Sequence, residues 1–405
     1  MNNKEYSPFT PGSPVPVELF VGRSDQMKEM ARYIKQALHK NQENAFLLGD
    51  RGIGKSSAAS FLRYFAEKQE NMIGIHIFLG GVSDLSDIVH HIFEQILKES
   101  RGQTWFENIR KFFGNYIKEV GLFGISVSFT PSREDLKELT RKFPEALHNV
   151  LKELEGQKSG LFIALDDING LANKLEFANW YKSFVDEVAT HYDEFPVFII
   201  LIGLPETWDT LLSQQPSLMR IFRIVEIERL SDGEVEEFFH KAFDKANVKA
   251  KNEAVDIMAK YSSGLPILMH EIGEAVFWMD QDGLIDEEDA LVGVLTAAER
   301  IGKKYLDPKV YRAIRSRRYR SILRKLGQPI SKCFTKKEIE KRLNESEKKV
   351  FHNFLRKLRD IGIIEQDVEK GRGAYRFVNE IYPVYIWIES ERAREPRFKD
   401  LNSYT

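Results

Sequence analysis

The sequence predicts an α/β fold built around a parallel sheet, and three observations lead to this class. Short apolar segments alternate with segments whose apolar residues recur at helical spacing through residues 1–230, a pattern typical of parallel strands joined by crossover helices. A glycine-rich loop at residues 49–56 joins an apolar segment to a helical one. A second apolar segment, at residues 160–171, runs into two adjacent carboxylates.

The glycine-rich loop, GDRGIGKS, satisfies the phosphate-binding pattern G-x-x-x-x-G-K-[ST] at all four fixed positions. Residues 44–50 before it predict a strand, and residues 55–69 after it predict a helix. Glycines let backbone N–H groups turn towards phosphate oxygens, and the amino end of the helix adds the positive end of its dipole. We therefore expect Lys55 to reach the β and γ phosphates of a nucleotide and Ser56 to bind Mg²⁺. The predicted phosphate site consists of Gly49, Asp50, Arg51, Gly52, Ile53, Gly54, Lys55, Ser56 and Ser57.

The two carboxylates, Asp166 and Asp167, follow a strand-like segment and should therefore emerge at the carboxyl edge of the sheet. Magnesium coordination and water activation both require carboxylates at that edge, alongside a phosphate-binding loop. We expect Asp166 to bind the magnesium ion and Asp167 to orient the attacking water. The alternative for Asp167 is a helix cap after the strand.

The composition excludes several classes of protein. The chain has 405 residues, of which 42% are hydrophobic and 30% charged, with a formal net charge of −2, as expected of a globular protein of two or three domains. Its single cysteine, Cys333, excludes an internal disulfide and a cysteine-rich metal site. The start of the chain lacks the apolar core of a signal peptide, and the longest apolar run, at residues 195–205, is too short to span a bilayer. We expect a cytoplasmic protein.

The rest of the chain predicts further elements of the sheet and then a helical region. Residues 72–81, 195–208 and 223–230 predict strands, and residues 101–150 look like an insertion in the nucleotide domain. Within the insertion, residues 120–131 alternate like a strand or a hairpin. This insertion has two alternative roles: a structural elaboration of the nucleotide domain, or a contact surface for a partner.

A helical region follows the sheet. Ser231 and Glu234 have the spacing of a capping box, and residues 231–302 carry helical spacing. From Lys303 the pattern predicts three helices and then two strands joined by a glycine-rich basic turn, which is typical of a winged helix-turn-helix domain.

Charge is segregated along the chain. Residues 303–360 contain twenty Lys and Arg against six Asp and Glu, a local charge of +14 that leaves −16 for the remainder. A basic segment of this kind is expected of a nucleic-acid-binding module, in which Arg372 of the wing would contact a phosphate or a minor groove. A solvated helix face, or a packing domain that responds to nucleotide state, is the alternative.

With these motifs in view, the chain resembles the AAA+ branch of the P-loop ATPases, and more narrowly the origin-recognition-like and archaeal-type ATPases and the related STAND signalling ATPases. The resemblance extends over nearly the whole chain. GDRGIGKSS resembles the Walker A motif, LFIALDD the Walker B motif, and Gly264-Leu265-Pro266 the G-x-P element of the lid. It implies a P-loop NTPase fold of the AAA+ ASCE type, followed by a helical lid and a winged helix-turn-helix domain.

The resemblance also implies a nucleotide site with ATP or ADP and Mg²⁺ as cofactors. Pro266 of the lid would supply a second set of nucleotide contacts, although a proline at a helix start also explains this residue. An N-terminal motif of the family lies against the adenine, and the residues of this chain that match it are Phe20, Val21, Gly22 and Arg23.

The sequence departs from the family pattern in three ways. The Walker B motif ends in Asp-Asp where efficient AAA+ hydrolases usually carry Asp-Glu, so a shorter carboxylate holds the attacking water and slow turnover is expected. AAA+ enzymes usually place a polar sensor residue at the end of the next strand, but this chain has Ile202 and Gly203 and no Asn, Ser or Thr before Thr207. The lid lacks, after Pro266, the arginine found in sensor 2 of replication initiators, which favours a STAND-like switch.

Two arginines, Arg220 and Arg223, precede the last predicted strand, where some AAA+ members carry an arginine that reaches a neighbour's γ-phosphate. Such a residue can accelerate hydrolysis by about three orders of magnitude or more. We expect Arg220, ahead of Arg223, to have this role. Surface salt bridges are the alternative for both.

Together these observations predict an ATPase domain at residues 1–230 with an insertion near 101–150, a helical lid at 231–302, a winged-helix domain at 303–395 and a tail at 396–405. The predicted function is that of an ATP-binding, slowly hydrolysing AAA+/STAND-like switch whose nucleotide state controls the position of the basic winged helix. The alternative is a DNA-binding initiator or loader that assembles on double-stranded DNA. A protein partner or a homo-oligomer fits either function, and no membrane partner is expected.

Overall fold

The computed structural model describes residues 4–39, 42–120, 126–312, 314 and 316–393. They fall into two compact units, an N-terminal unit from Pro14 to Glu228 and a C-terminal unit that combines the residues before Pro14 with those from Arg229 onwards. The predicted tail at 396–405 and the middle of the predicted hairpin at 120–131 lie outside the described residues. Within the described ranges, no helix has the length and apolar character needed to cross a bilayer.

A parallel sheet forms the centre of the N-terminal unit. Its strands are β1 (Glu43–Leu48), β2 (Ile73–Phe78), β5 (Leu161–Asp166), β6 (Val197–Gly203) and β7 (Arg223–Glu226), separated in the chain by the hairpin strands β3 (Ile117–Val120) and β4 (Ser126–Phe129). In the described part of the chain the sheet has the order β2-β5-β6-β1-β7, with every neighbouring pair parallel. Strands β5 and β6 are buried along their whole length, which explains their continuous apolar sequences.

Helices connect the strands of this sheet along the chain. The helix after the glycine-rich loop begins and ends where its periodicity predicts, because its small and apolar side chains form one buried stripe. The helices of this unit are α1 (Ser24–Ala37), α2 (Lys55–Gln69), α3 (Leu85–Ser100), α4 (Phe106–Phe113), α5 (Arg133–Arg141), α6 (Phe143–Glu153), α7 (Leu175–His191) and α8 (Pro205–Gln214).

The region predicted as an insertion shares the core of the N-terminal unit. Strands β3 and β4 pair antiparallel, as the alternation at 120–131 predicts, although β3 begins earlier, at Ile117. Phe129 of β4 packs against Phe93 of α3 and Phe113 of α4, with ring centroids 6.0 and 5.1 Å away. Because this aromatic cluster is continuous with the buried core, the insertion contributes to the packing of the unit.

The C-terminal unit begins with a helical region that matches the prediction for residues 231–302. The capping box of Ser231 and Glu234 is present at its first helix. A two-residue parallel pairing joins its loops. The elements are α9 (Asp232–Lys245), β8 (Lys249–Ala250), α10 (Asn252–Ser262), α11 (Pro266–Met279), β9 (Leu284–Ile285) and α12 (Glu287–Ile301).

Residues 4–13 pack into this C-terminal unit, so the structure corrects the prediction that they belong to the ATPase domain. Phe9 is buried against Phe243 of α9, with ring centroids 5.2 Å apart. A Cβ at Gly273 of α11 would lie 2.2 Å from the Phe9 ring, so the glycine makes room for it. The Lys4 ammonium forms an ion pair with the buried Asp280 and donates to the Phe277 carbonyl at 2.6 Å.

The end of the described chain combines helices with a small antiparallel sheet. A π-helical stretch, Gly302–Tyr311, continues α12 across the predicted boundary between residues 302 and 303, and the helix predicted there begins at Arg317. Within the described residues, three strands pair in the order β10-β12-β11. The elements are α13 (Arg317–Leu326), β10 (Cys333–Thr335), α14 (Lys336–Glu340), α15 (Glu345–Asp360), β11 (Ile364–Gln366), β12 (Ala374–Phe377) and a helix that the sequence did not predict, α16 (Ile381–Arg392).

A buried histidine predicts that the C-terminal unit loses stability in mild acid. His270 of α11 accepts the Thr10 N–H at its Nδ1, 3.0 Å away, and burial lowers its pKa to about 4. The unfolded chain, with a histidine pKa near 6.5, therefore binds the proton first as pH falls. The stabilisation is complete above pH 6.5, decreases by about 2 kcal/mol at pH 5, and continues to fall towards pH 4.

Hydrogen exchange of the α11 amides at pH 7.5 and at pH 5 measures this loss, after correction for the intrinsic exchange rates. His270→Asn is the matched variant, because an asparagine Oδ1 can accept the same N–H without gaining a charge in this range. We expect a flatter pH dependence for the variant, and equal pH dependence in the two proteins would contradict the assignment.

Candidate nucleotide site

The glycine-rich loop connects the carboxyl end of β1 to the amino end of α2. Gly52 and Gly54 have φ angles of 76° and 93°, values that favour glycine over residues with a side chain. A Cβ at Gly49 would lie 2.8 Å from the Ile227 carbonyl oxygen, so the loop also needs glycine for close backbone packing. The local conformation therefore explains why these positions carry glycine, and it turns the loop towards the start of α2.

Lys55 is the first residue of α2, and its side chain lies over the loop. Its Nζ donates to the carbonyl oxygens of Gly49 at 2.7 Å and of Asp50 at 2.8 Å. Burial lowers the pKa of Lys55, while the charges of Asp166, Asp50 and Asp167 act in the opposite direction. A cation that is partly desolvated beside carbonyl groups is suited to bind an anionic phosphate.

Asp166 is the last residue of β5 and is buried. Its Oδ2 lies 3.0 Å from Nε2 of His76, a buried side chain on the neighbouring strand β2. His76 pairs in register with Ala164, so the two side chains are diagonal neighbours on one face of the sheet. The His76 ring also stacks on the exposed Phe78, with centroids 4.6 Å apart.

Asp167 follows directly and is exposed, with a left-handed φ of 61°. It precedes a 3-10 turn, Ile168–Gly170, and in the described residues its side chain makes no capping hydrogen bond to that turn. Instead, Nδ2 of Asn169 donates to Asp167 Oδ1. Asp167 thus occupies the N-cap position of this turn without a side-chain cap bond, and its role in orienting water stays a prediction.

The residues predicted to bind magnesium have suitable chemistry. Ser56 offers a hydroxyl in the first turn of α2, and Asp166 offers a carboxylate at the carboxyl edge of the sheet. Hydroxyl and carboxylate oxygens are the hard ligands that Mg²⁺ prefers. Strand β6 lies between β1 and β5, so the loop and the acidic strand face each other across one intervening strand.

The N-terminal motif at residues 20–23 is tied to the loop and to α2. Phe20 stacks on Phe61 of α2, with centroids 4.7 Å apart and planes inclined by 18°. The buried Arg23 donates through Nη2 to the Ile53 carbonyl of the loop and, at 3.4 Å, to the Glu228 carbonyl. These contacts fix the loop, and the role of Phe20, Val21, Gly22 and Arg23 beside an adenine stays a prediction.

Ser57 has a structural contact of the same kind. Its Oγ accepts the Val15 N–H at 3.0 Å, which fastens the segment before α1 to α2. The remaining residues of the predicted phosphate site lie on the loop itself. Among these, Asp50 and Arg51 are exposed at its tip.

The two candidate arginines lie away from the carboxyl edge of the sheet in this chain. Arg223 begins β7 and pairs with Glu43 at 3.8 Å, at the amino ends of β7 and β1. Arg220 is exposed on the turn just before β7. A role at a nucleotide would therefore be exerted on a neighbouring molecule, and for Arg220 it stays a prediction.

Pro266 begins α11 in the C-terminal unit, as expected of a proline at a helix start. The preceding Gly264 has a φ of 69° and accepts the Leu230 N–H at 2.9 Å. Local backbone packing therefore accounts for the G-x-P element. Contact between Pro266 and a nucleotide stays a prediction.

Sequence reasoning missed two side chains that touch the acidic pair, His76 and Asn169. His76 is a single polar residue within an apolar strand, IGIHIF, which is a signal that the pattern contains. Asn169 follows the two carboxylates by two and three positions, a distance at which short polar side chains often bond locally. Neither signal identifies its partner without the strand order and the turn geometry.

A parallel sheet with a phosphate-binding loop after one strand and paired carboxylates after another defines a P-loop nucleoside triphosphatase fold. Residues 19–181 match the family model described as the AAA ATPase domain. The fold is similar to that of the ORC2 protein of Aeropyrum pernix, solved in complexes with ADPNP and ADP. That comparison has a TM-score of 0.55 and 11% identity and covers 97% of each chain.

A curated relative is an uncharacterized HTH-type transcriptional regulator of Methanocaldococcus jannaschii. It is 22% identical over 262 residues, which are 62% of this chain. The match spans 59% of the length of that relative.

Proposed function

We propose that the protein is an ATP-binding, slowly hydrolysing AAA+/STAND-like switch that acts in the cytoplasm and whose nucleotide state controls the position of a basic winged helix. The observation that carries the proposal is the placement of three residues at the carboxyl edge of one parallel sheet. Lys55 begins the helix that follows β1, Asp166 ends β5, and Asp167 comes directly after it. The AAA ATPase domain match over residues 19–181 supports ATP as the nucleotide.

Each residue of this group has a distinct task in the proposed mechanism. The loop N–H groups and Lys55 bind the β and γ phosphates. Ser56 and Asp166 would hold Mg²⁺, which when bound neutralises charge on the phosphate oxygens. Asp167 accepts a hydrogen bond from the attacking water and orients it in line with the γ phosphate.

Two features of the site support slow turnover. Asp167 is one methylene shorter than a glutamate, so its carboxylate reaches less far from the backbone. The end of β6 carries Ile202 and Gly203, both buried and without a polar side chain that could contact a phosphate. Hydrolysis that is slow relative to nucleotide exchange suits a switch, because each nucleotide state then persists.

Asp167→Asn tests the role of the proposed water-orienting carboxylate. We expect the variant to bind ATP with unchanged affinity but to hydrolyse it about 100-fold more slowly, since the amide cannot act as a base. The bound nucleotide is identified by chromatography after denaturation, and the turnover by phosphate release. Asp25→Asn is the matched control, because the Asp25 side chain is 99% exposed on α1. Unchanged turnover in Asp167→Asn would remove Asp167 from the mechanism.

A second candidate function, assembly on double-stranded DNA as an initiator or loader, is favoured by the distribution of exposed basic side chains. We propose that the helices α13 to α15 and the strands β10 to β12 form a winged helix. On α15 the apolar side chains Phe351, Phe354 and Leu358 are buried, whereas Lys348, Lys349, Asn353, Arg356 and Arg359 are exposed. The relative described as an HTH-type transcriptional regulator is consistent with this candidate.

The salt dependence of DNA binding distinguishes the two functions. If α15 contacts DNA, the double variant Arg356→Ala/Arg359→Ala should weaken binding to a duplex and reduce the slope of log K against log salt by about 2. Arg141→Ala/Lys142→Ala, on exposed positions of the N-terminal unit, is the control. ATP turnover that rises with added duplex would favour the DNA-dependent function. A duplex that neither binds nor changes turnover would favour a switch with a protein partner, or a homo-oligomer in which Arg220 acts on a neighbour.

A further inference from the structure

A series of side-chain hydrogen bonds links Asp167 to Leu204 and Thr207, which follow β6. Nδ2 of Asn169 donates to Asp167 Oδ1, and Oδ1 of Asn169 accepts the hydroxyl proton of Thr207. The same amide oxygen accepts the Leu204 N–H at 3.3 Å. Asn169 is half-buried and Thr207 is buried, whereas Asp167 is exposed. The three side chains therefore run from the interior of the unit to its surface.

The orientation of the Asn169 amide follows from its partners. A backbone N–H can donate but not accept, so the group that faces Leu204 is the amide oxygen. An ionised carboxylate can accept but not donate, so the group that faces Asp167 is the amide nitrogen. Both ends agree on one orientation. The Asn169 amide thus bridges Leu204 and Asp167 with its donor end towards Asp167.

Within the described ranges, the second carboxylate oxygen of Asp167 accepts no hydrogen bond. Oδ1 is engaged by Asn169, while Oδ2 points to Gly80, where a Cβ would come within 3.1 Å of it. An aspartate on the surface has freedom about two side-chain bonds, and a hydrogen bond to one oxygen fixes the direction of the other. In the proposed hydrolysis, Asp167 Oδ2, whose direction this bond fixes, would accept the proton of the attacking water.

We infer that Asn169 is a positioning residue for Asp167 in ATP hydrolysis and that Thr207 holds Asn169 in place. The inference rests on the proposed function, because it assigns the task of water orientation to Asp167. Asn169 and Thr207 together supply a polar contact next to the end of β6, whose last two residues, Ile202 and Gly203, have no polar side chain. The connection is made through Asn169 of the turn after β5, with Thr207 supplied from the first turn of α8.

Thr207 also has a structural task that the experiment must separate. Its Oγ1 accepts the Leu204 N–H at 3.3 Å and so caps α8. Loss of the cap alone lowers stability without any effect on kcat in the folded protein. Loss of the positioning contact lowers kcat and leaves the affinity for nucleotide unchanged.

The test compares kcat, KM and ATP affinity of the full chain with those of Asn169→Ala, Thr207→Val and Thr207→Ser. We expect Asn169→Ala to lower kcat about 10- to 100-fold with ATP affinity within about twofold of the parent. Thr207→Val should lower kcat by a smaller factor. Thr207→Ser keeps the hydroxyl, so its kcat should equal that of the parent. Asn179→Ala is the control, since that exposed asparagine bonds to Gln215 at a distance from the acidic pair.

A double-variant comparison shows whether Asn169 acts through Asp167. In the Asp167→Ala background, adding Asn169→Ala should cause no further loss of kcat. An equal loss in both backgrounds, or a kcat of Asn169→Ala equal to that of an active parent, overturns the inference while the proposed ATPase function stands. A parent protein that binds ATP but shows no turnover overturns both the proposed hydrolysis and the role of Asn169.

Discussion

Replacing Lys55 with alanine is expected to lower the affinity for ATP about 100-fold or more. The Lys55 ammonium is held over the loop by the carbonyls of Gly49 and Asp50, and burial already lowers its pKa. Its charge-assisted hydrogen bonds to phosphate oxygens are worth about 1.5–3 kcal/mol each, and 1.4 kcal/mol corresponds to a factor of ten in affinity. Alanine also leaves the helical propensity of α2 intact.

Titration with a fluorescent ATP analogue measures this loss directly. Lys68→Ala is the matched control, because Lys68 is exposed in the last turn of the same helix. We expect the control to bind the analogue like the parent. If Lys55→Ala binds ATP as tightly as the parent, the glycine-rich loop is not the nucleotide site.

Replacing Gly264 with alanine is expected to lower the free energy of unfolding of the C-terminal unit by about 3 kcal/mol. Gly264 has a φ of 69°, and a Cβ there would lie 2.3 Å from the Leu230 carbonyl oxygen. The left-handed conformation costs an alanine about 1 kcal/mol, and the contact with a backbone atom adds about 1–3 kcal/mol because the neighbour cannot rotate away. Two backbone segments therefore cross at a site that tolerates no side chain.

The chain contains a control that separates these two costs. Gly362 has nearly the same φ, 70°, and a Cβ there would meet no atom within 4 Å. Urea unfolding of Gly362→Ala should therefore show the conformational cost alone, about 1 kcal/mol. Equal destabilisation by the two substitutions would mean that crowding at Leu230 has no energetic weight.

The features that the sequence predicted best are those set by neighbouring residues. The loop between β1 and α2, the bounds of α2 and the capping box at Ser231 all depend on contacts within a few positions. The division into an ATPase domain, a lid and a winged helix rests on the resemblance and stays a prediction. The match of residues 19–181 to the AAA ATPase domain model falls within the first of these predicted domains.

The features that the sequence did not predict depend on contacts between distant segments. His76 reaches Asp166 because β2 pairs with β5, 90 residues later in the chain. Asn169 reaches Thr207 because β6 returns beside β5, over a separation of 38 residues. Strand order decides both contacts, and periodicity carries no information about strand order.

Helix α16 was missed for a different physical reason. Its sequence, IYPVYIWIESER, has apolar residues on most sides and a proline at its third position. Such a segment shows no single apolar stripe, because residues on several faces, including Ile381, Val384, Tyr385 and Ile386, are buried. Packing against Gly302, where a Cβ would lie 2.1 Å from the Tyr385 ring, is what fixes this helix.

The packing of residues 4–13 into the C-terminal unit bears on how the protein folds during synthesis. Thr10 and its partner His270 are separated by 260 residues, and a ribosome that adds about 5–20 residues per second needs a few tens of seconds to make that stretch. Residues 4–13 are therefore made well before their partners on α11, while the sheet of the N-terminal unit can already form. The C-terminal unit is completed when this long loop closes, so residues 4–13 reach their native contacts late in its folding.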